Sequence, residues 1–547
     1  MAADRWTAAR ERIAAVVADG LAAEGVPAGA VTVEVTEPTE AGHGDLTTNA
    51  ALRAARHLRR PPQAIAAALA ARWPALPEVE RVEAAGPGFL NVTLSTPWLQ
   101  GVVADVRAGR ADFGRSALGG GRRVLLEFVS ANPTGPLVAV NGRAAALGDA
   151  LARLLEWCGY RVDREYYVNN AGVQIQRLGQ ALWLRLEELR GVEVESSWPE
   201  GVYPGAYVKD LARAYLAEVG PPAAPDYQAL GAWAADRLRA EHEAVLRRFG
   251  VTFDHWTEER ALREAGAPEA VVAELRARGL VREEDGALWF CSTRFGDDKD
   301  RVLVKSDGEY TYLVPDAAYH RDKFARGYDL LIDLLGPDHH GYVGRIRAIV
   351  EALTGRGGQL EIIIVQLVRL LRDGEPVRMS KRGGAFVTLE EVLDETGVDA
   401  ARYFFVERAP DTPVDFDLNL AQLKTQANPV YYIQYAGARI HSLLRRAGAV
   451  PPEPDLAPLT DPTERALLVD LARFPEVVRE AARLRGPHLV ARYLLDLASH
   501  FHTFYRFNRI LGEAPEVEAA RLALAEAVLI VLERAAGLIG VRIPETM

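Results

Sequence analysis

VLLEFVSANPTGPLVAVNGRAAALGDAL, residues 124–151, is written like the opening of a nucleotide-binding fold. VLLEFV is an apolar run broken by one acid, the pattern of a strand buried on both faces of a parallel sheet. Pro133, Gly135 and Pro136 then turn the chain. Beyond them Leu147, Leu151, Leu154 and Cys158 recur at helical spacing and mark one core face. YRVDREYYV (160–168) follows as a second strand. This order starts a doubly wound α/β sheet, which holds ligands at the carboxyl ends of its strands. Glu127, a charge within a buried strand, needs a cationic partner, either a ligand or a neighbouring Arg.

The βα pattern resumes at VLVKSDGEYTYL (302–313), YDLLIDLLG (328–336) and LEIIIVQLV (360–368). Residues 170–300 between the two halves read as a helical insertion with loops such as SSWPEGVYPG and GPPAAP. Upstream, residues 1–115 form a small α/β domain. It has a helix at 5–23, a strand VTVEV at 31–35, helices near 47–58 and at QAIAAALAARW, and a strand pair VERVEAAG and GFLNVTLS. Gly119–Gly121 is the linker into a larger α/β domain spanning 122–420. From 421 to 547 the pattern is helical. One helix there carries Val490, Leu494, Leu497, Phe501 and Phe504 on its core face.

The composition, 49% hydrophobic and 25% charged, is that of a globular protein and can fill several cores. No uncharged apolar run reaches the ~18 residues of a membrane span, and the N-terminus lacks the apolar block of a signal peptide. Two cysteines exclude a disulfide framework or a cysteine-ligated zinc and point to a reducing, cytoplasmic setting. The 11 histidines offer no helical metal spacing; His500 and His502 lie on different faces, and no metal site is expected. A net charge of −11 argues against a general polyanion binder. Residues 421–547, with 15 Lys+Arg against 14 Asp+Glu, are nearly neutral and can still present a local basic face to RNA phosphates.

RMSKRGG (378–384) offers a mobile ammonium, Lys381, on a glycine-flanked loop. It can neutralise charge on a leaving pyrophosphate, or it is a basic surface turn. Its place beyond the last parallel strand-like run lets it meet the 131–141 loop across the sheet.

With these residues in view, the chain resembles the bacterial-type arginyl-tRNA synthetases, class I enzymes, over essentially its whole length. EFVSANPTGPL and RMSK carry the resemblance. So do GHGDLTTNAAL (42–52), AGPGFLNV (85–92), EYYVNNAG (165–172), DDKDRVLVKSDGEYTYLVPDAAYHRDKF (297–324), GVDAARYFFVERAPDTPVDFDLNLA (397–421) and NPVYYIQYAGARI (428–440). The resemblance implies a Rossmann catalytic domain with a connective insertion. It also implies an N-terminal domain that touches the tRNA elbow and an all-α anticodon-binding domain. The implied reaction joins arginine to tRNA through an arginyl-adenylate, consumes ATP with Mg²⁺, and generally requires tRNA before activation. A monomer with no tightly bound metal is expected.

By the same resemblance, Glu127, Asn132, Tyr312 and Asp316 bind arginine. Carboxylates suit a guanidinium because they accept its paired N–H groups, although Asp316 also fits a helix N-cap after Pro315. Val138, Asn141, Gly142, His339, Met379, Ser380 and Lys381 fall on ATP-binding positions, with Lys381 and Asn141 in catalytic ones. His339 and His340 also read as solvated loop residues. Gln434, Tyr431 and Tyr435 fall on the helix that approaches the anticodon arm, and Tyr432 reads as core.

The resemblance breaks at one place. The family's first signature, His-x-Gly-His, is here Val138, Ala139, Val140 and Asn141. Asn141 retains an amide donor without imidazolium charge, and Val140 adds bulk where adenine would lie. No histidine occurs between His57 and His242. Gly437 and Asn170 are smaller departures. Losing one transition-state donor typically costs about 10²–10³ in rate. An enzyme that has relocated its phosphate contacts is the leading reading, since Lys381 and the pocket acids remain. The alternative is a tRNA-binding paralogue with weak or no adenylation, or one that uses charged tRNA for another purpose.

Overall fold

The computed structural model describes residues 4–40, 42–194, 199, 201–203, 205–377 and 387–547; Met379, Ser380 and Lys381 lie outside the described residues. The central α/β layer is built on β1 (Arg123–Glu127), α1 (Ala139–Trp157) and β2 (Arg161–Val168). Three helices follow: α2 (Val173–Leu189), α3 (Ala206–Glu218) and α4 (Tyr227–Arg248). Next come β3 (His255–Glu258), α5 (Leu313–Ala325), β4 (Leu330–Leu335), α6 (Val343–Thr354) and β5 (Leu360–Ile364). The sheet is parallel throughout, in the order β5-β4-β1-β2-β3. β1 therefore has β2 on one side and β4 on the other. The loop leaving its carboxyl end opens at the point where the winding reverses, the place such sheets reserve for ligands. Val124, Leu125 and Leu126 are fully buried, and Leu147, Leu151, Leu154 and Cys158 of α1 pack in the core beneath the sheet.

Four local expectations are corrected. VTVEV at 31–35 forms no strand. Val31 and Val33 are half-buried and Val35 is buried, so the alternation faces a core, but the sheet edge is taken by Leu46–Thr48. VLVKSDGEYTYL does not join the parallel sheet. Arg301–Val304 belongs to a separate antiparallel sheet with Val281–Glu284 and Ala287–Phe290. The turn of that hairpin is Asp285-Gly286, both at positive φ, as a tight hairpin requires. LEIIIVQLV splits after Ile364, and Val368–Arg372 pairs instead with Val414–Asp417. Finally, the segment 170–300 is not one insertion: after α2–α4 the chain returns to the sheet as β3, a short half-buried edge strand.

After residue 420 the main helices are α7 (Pro429–Ala447), α8 (Pro462–Arg483), α9 (His488–Phe507) and α10 (Pro515–Leu538). Val490, Leu494, Leu497, Phe501 and Phe504 are all fully buried. Gly437 has a packing cause: a Cβ there would lie 2.1 Å from Ile543 of the C-terminal tail. The tail is tied to the central α/β layer by Arg402, which is buried against the Asp149 carboxylate of α1 and donates to the Phe249 and Ile539 carbonyls at 3.1 Å each. The N-terminal domain docks on the helical domain through charge. Arg465 grips Asp45 with two bonds of 2.9 and 2.7 Å, and Arg10 meets Glu476 at 3.0 Å.

Candidate active site

The loop after β1 is held in a strained form. Val129 and Ser130 have φ of 71° and 38°, a region that costs most residues of order 1–3 kcal/mol. Ser130 earns its place through its hydroxyl, which donates to Glu127 Oε1 at 2.8 Å and accepts the Tyr167 N–H at 3.1 Å. Farther along, Asn141 Oδ1 accepts the Val138 N–H at 3.0 Å and so satisfies a group at the start of α1. Val138 also bridges Thr388, and the Leu389 N–H donates to the Leu137 carbonyl at 2.7 Å. These contacts bring the described chain immediately beyond 378–386 against the start of α1. Gly142 is set by this packing. A Cβ there would come within 2.6 Å of the Leu389 side chain and 3.0 Å of Phe405.

The acids expected to meet arginine lie at the ends of β1 and α5. Glu127 is buried and pairs with Lys323 of α5, whose ammonium is itself fully buried and reaches Asp333 of β4 at 2.8 Å. The partner of Glu127 within the chain is thus a Lys rather than an Arg. Burial pushes the Glu127 carboxyl up despite Lys323. Burial acts on Asp333 too, but Lys323 and His320 together hold its carboxyl well below the ordinary value. His320 lies between two acceptors, with Nδ1 2.8 Å from the Asp316 carbonyl and Nε2 2.7 Å from Asp333 Oδ2. Two acceptors require two N–H groups, so this ring is an imidazolium.

Asp316 is in the first turn of α5, not at its N-cap, which is Tyr312. Its Oδ2 accepts the Tyr342 O–H at 2.6 Å, and among the described residues Oδ1 has no hydrogen-bond partner. Burial raises the Asp316 carboxyl, an effect that the Tyr342 bond only partly offsets. A desolvated carboxylate with one free oxygen favours a cationic ligand.

The structure does not bring Tyr312 into this pocket: its side chain points out and the residue is 75% exposed. Asn132 is also exposed, donating to Gln174 of α2 at 2.9 Å. His339 lies in the short turn Pro337–Tyr342, its ring 6.2 Å from that of Tyr342. His340 is exposed beside it. Asn170 is buried, donating to Glu258 at 3.1 Å and accepting the Arg260 N–H at 3.2 Å.

A second face lies on α7 and α9. Tyr431 and Tyr435 stack with centroids 6.1 Å apart, and Arg439 lies 4.5 Å over Tyr435 and 4.6 Å over Tyr505. Tyr432 packs on His502. A groove of about 620 Å³ is lined here by Tyr435, Arg439, Arg445, Arg446, Tyr505 and Arg509. Aromatic rings beside guanidinium groups are the means by which proteins hold unstacked bases and their phosphates. Gln434 lies apart from this groove, donating to Asp399 at 3.1 Å and to the Arg542 carbonyl at 2.9 Å.

Sequence reasoning missed Lys323, His320, Asp333 and Tyr342. Asp333 carried the same signal as Glu127, a lone acid in an apolar strand. His320 and Lys323 follow Asp316 at the i, i+4 and i+7 spacing of one helix face.

Three family models match successive parts of the chain. They are the arginyl tRNA synthetase N terminal domain over residues 8–94, the class I (R) tRNA synthetase catalytic domain over 109–427 and the DALR anticodon binding domain over 433–547. The arginine–tRNA ligase of Symbiobacterium thermophilum is 48% identical, with 98% of each chain covered. That of Desulforamulus reducens is 46% identical over 94% of each. The solved arginyl-tRNA synthetase of Thermus thermophilus superposes with a TM-score of 0.78 at 25% identity, covering 98% of this chain and all of that one. The chain belongs to the arginyl-tRNA synthetase family.

Proposed function

We propose that the protein attaches arginine to its tRNA through an arginyl-adenylate. An arginine carboxylate oxygen attacks the ATP α-phosphorus, pyrophosphate leaves, and a ribose hydroxyl of the tRNA then takes the arginyl group and releases AMP. The observation that carries this reading is Asp316, a desolvated carboxylate oriented by Tyr342 with one oxygen open to a guanidinium. Glu127 lies at the end of the neighbouring β1 and suits the α-ammonium. ATP is assigned to the start of α1, whose unpaired N–H groups favour phosphate without side-chain charge. Mg²⁺ accompanies the phosphates, and Lys381, preceded by Met379 and Ser380, supplies a cation to them. The aromatic and basic groove on α7 and α9 takes the anticodon arm. Among the described residues no helix is long and apolar enough to cross a membrane. A monomer acting in the cytoplasm is our reading.

The deciding experiment is ATP–pyrophosphate exchange with each of the twenty amino acids, with and without tRNA, followed by aminoacylation. Arginine alone, in the presence of tRNA, is expected to drive exchange. Exchange driven by another amino acid overturns the substrate, and no exchange at any tRNA concentration overturns the reaction in favour of a tRNA-binding paralogue.

A further inference from the structure

The loop between β1 and α1 makes few backbone hydrogen bonds of its own. Among the described residues the carbonyls of Ala131, Thr134 and Gly135 accept no backbone N–H. Each is taken by a side chain from elsewhere. Tyr166 of β2 donates to Ala131 at 3.0 Å, Tyr207 of α3 donates to Thr134 at 2.5 Å, and His242 of α4 donates through Nε2 to Gly135 at 2.7 Å. His242 Nδ1 is 3.1 Å from the Tyr166 hydroxyl, whose single hydrogen is shared between this acceptor and the Ala131 carbonyl, and this couples two of the three clamps. Gln174 of α2 adds a fourth contact by accepting from Asn132. All three inserted helices therefore hold the short stretch 132–135, a few residues before α1.

We infer that the helical insertion sets the geometry of the ATP-phosphate loop, with His242 as its principal positioning residue and Tyr207 as its second. The inference rests on the proposed placement of ATP at the start of α1. His242 is 2% exposed and both ring nitrogens face protein groups, so it does not stand in for the absent signature histidines by touching ATP. It acts on the loop instead. The Val138 N–H, three residues on and the local donor a turn would offer the Gly135 carbonyl, is taken by Asn141 Oδ1, so local backbone pairing does not supply this anchor. The flanking turn at Val129 and Ser130 is backbone that persists only when its surroundings fix it. Burial keeps the His242 ring neutral, so a neutral amide is a fair replacement for its N–H.

The test uses the full-length protein and four forms: wild type, His242→Ala, His242→Gln and Tyr207→Phe. Steady-state ATP–pyrophosphate exchange gives KM for ATP and for arginine separately, with melting temperature and tRNA affinity as controls. We expect His242→Ala to raise the ATP KM at least tenfold with the arginine KM within threefold. His242→Gln, which keeps a donor toward Gly135, should return the ATP KM to within threefold of wild type. Tyr207→Phe, which loses only a hydroxyl, should raise the ATP KM three- to tenfold at unchanged melting temperature. The inference is overturned if the ATP KM of Tyr207→Phe stays within twofold, a reading available even if His242→Ala does not fold. It is equally overturned if His242→Ala raises both KM values together and His242→Gln restores neither, for then the histidine only supports the fold. Absence of arginine-dependent exchange in wild type overturns the underlying function instead.

Discussion

Asp316→Asn is the sharpest probe of the arginine pocket. The variant keeps an oxygen for the Tyr342 O–H, which now sits 2.6 Å from Oδ2, and turns its amide NH₂ toward the open side. A guanidinium there loses its counter-charge and meets a donor instead of an acceptor. Removing one member of a fully buried ion pair costs about 3–5 kcal/mol. Asp316 is half-buried, so the lower end applies. About 3 kcal/mol is about a hundredfold or more in arginine KM. Stability should move the other way. The Asp316 carboxyl is raised in the folded protein, chiefly by burial. A raised acid is harder to ionise folded than unfolded, so its charge destabilises the fold at neutral pH. Asparagine removes that penalty, and melting temperature should hold or rise. The same sign makes arginine binding weaken as pH falls toward the raised value, at a higher pH than an ordinary Asp would give. Tyr342→Phe leaves the charge but frees its orientation. A hydrogen bond to a charged group, about 1.5 kcal/mol, predicts roughly a tenfold rise in arginine KM. An arginine KM within threefold of wild type for Asp316→Asn, or a clear drop in its melting temperature, would show Asp316 to be a structural group and the pocket to lie elsewhere.

Lys381→Ala should lower kcat by about a hundredfold or more while leaving arginine KM nearly unchanged, because its contact matures as pyrophosphate departs; an equal rise in arginine KM would place it in ground-state binding. Asn141→Asp keeps the acceptor for the Val138 N–H but loses the amide donor. It should retain the melting temperature and lose at least tenfold in single-turnover adenylate formation, about 1.4 kcal/mol. Asn141→Ala should lose both and Val138→Ala much less. Unchanged adenylate formation in Asn141→Asp would confine Asn141 to capping α1. For His320, burial alone would lower the ring's value, but Asp333 more than reverses this and the net shift is upward. Its contribution is therefore complete below about pH 6.5 and is lost as pH rises through the elevated value. His320→Gln should flatten the alkaline fall in melting temperature, and ¹⁵N spectra of wild type near pH 7 should show both ring nitrogens protonated. A ring neutral at pH 7 would refute the imidazolium.

The parts of the fold that were legible in the chain are those where one period dominates. β1, α1 and β2 announce themselves by a continuous apolar run, a helical apolar face and a second run, and the parallel βαβ unit buries all three. β3 was silent because an edge strand of four residues, His-Trp-Thr-Glu, all half-buried, is too short and too mixed to show a period. Arg301–Val304 looked like its parallel neighbours because periodicity reports burial, not partner. The candidate site divides in the same way. A lone acid in a buried strand demands a cation, and Glu127 revealed that demand but not which cation answers it. Lys323 answers from 196 positions away, a pairing that only the folded sheet creates. Tyr312 failed for a related reason. The four-residue spacing itself holds, since Tyr312 has helical dihedrals and its carbonyl accepts the Asp316 N–H at 3.3 Å, but spacing along one helix does not say which neighbours cover a side chain, and among the described residues none covers this one.

What the missing histidines remove is charge, not architecture. Three carbonyls of the loop are tied by Tyr166, Tyr207 and His242, and none of these ties involves positions 138 or 141. The start of α1 is closed by Asn141 on the Val138 N–H, a bond that valine at 138 makes as well as histidine because it uses only the backbone. Leu389 and Phe405 fill the space above Gly142, so the helix is fixed from outside as well. A loop whose position depends so little on the two signature side chains keeps its place after both have changed, and with it the phosphate site proposed at the start of α1. The helix terminus contributes at most about 1–2 kcal/mol of fixed charge, less than the roughly 2.7–4 kcal/mol usually lost with one transition-state donor. A cation must make up that difference, and Lys381 is the one we propose, which the loss of kcat expected for Lys381→Ala tests.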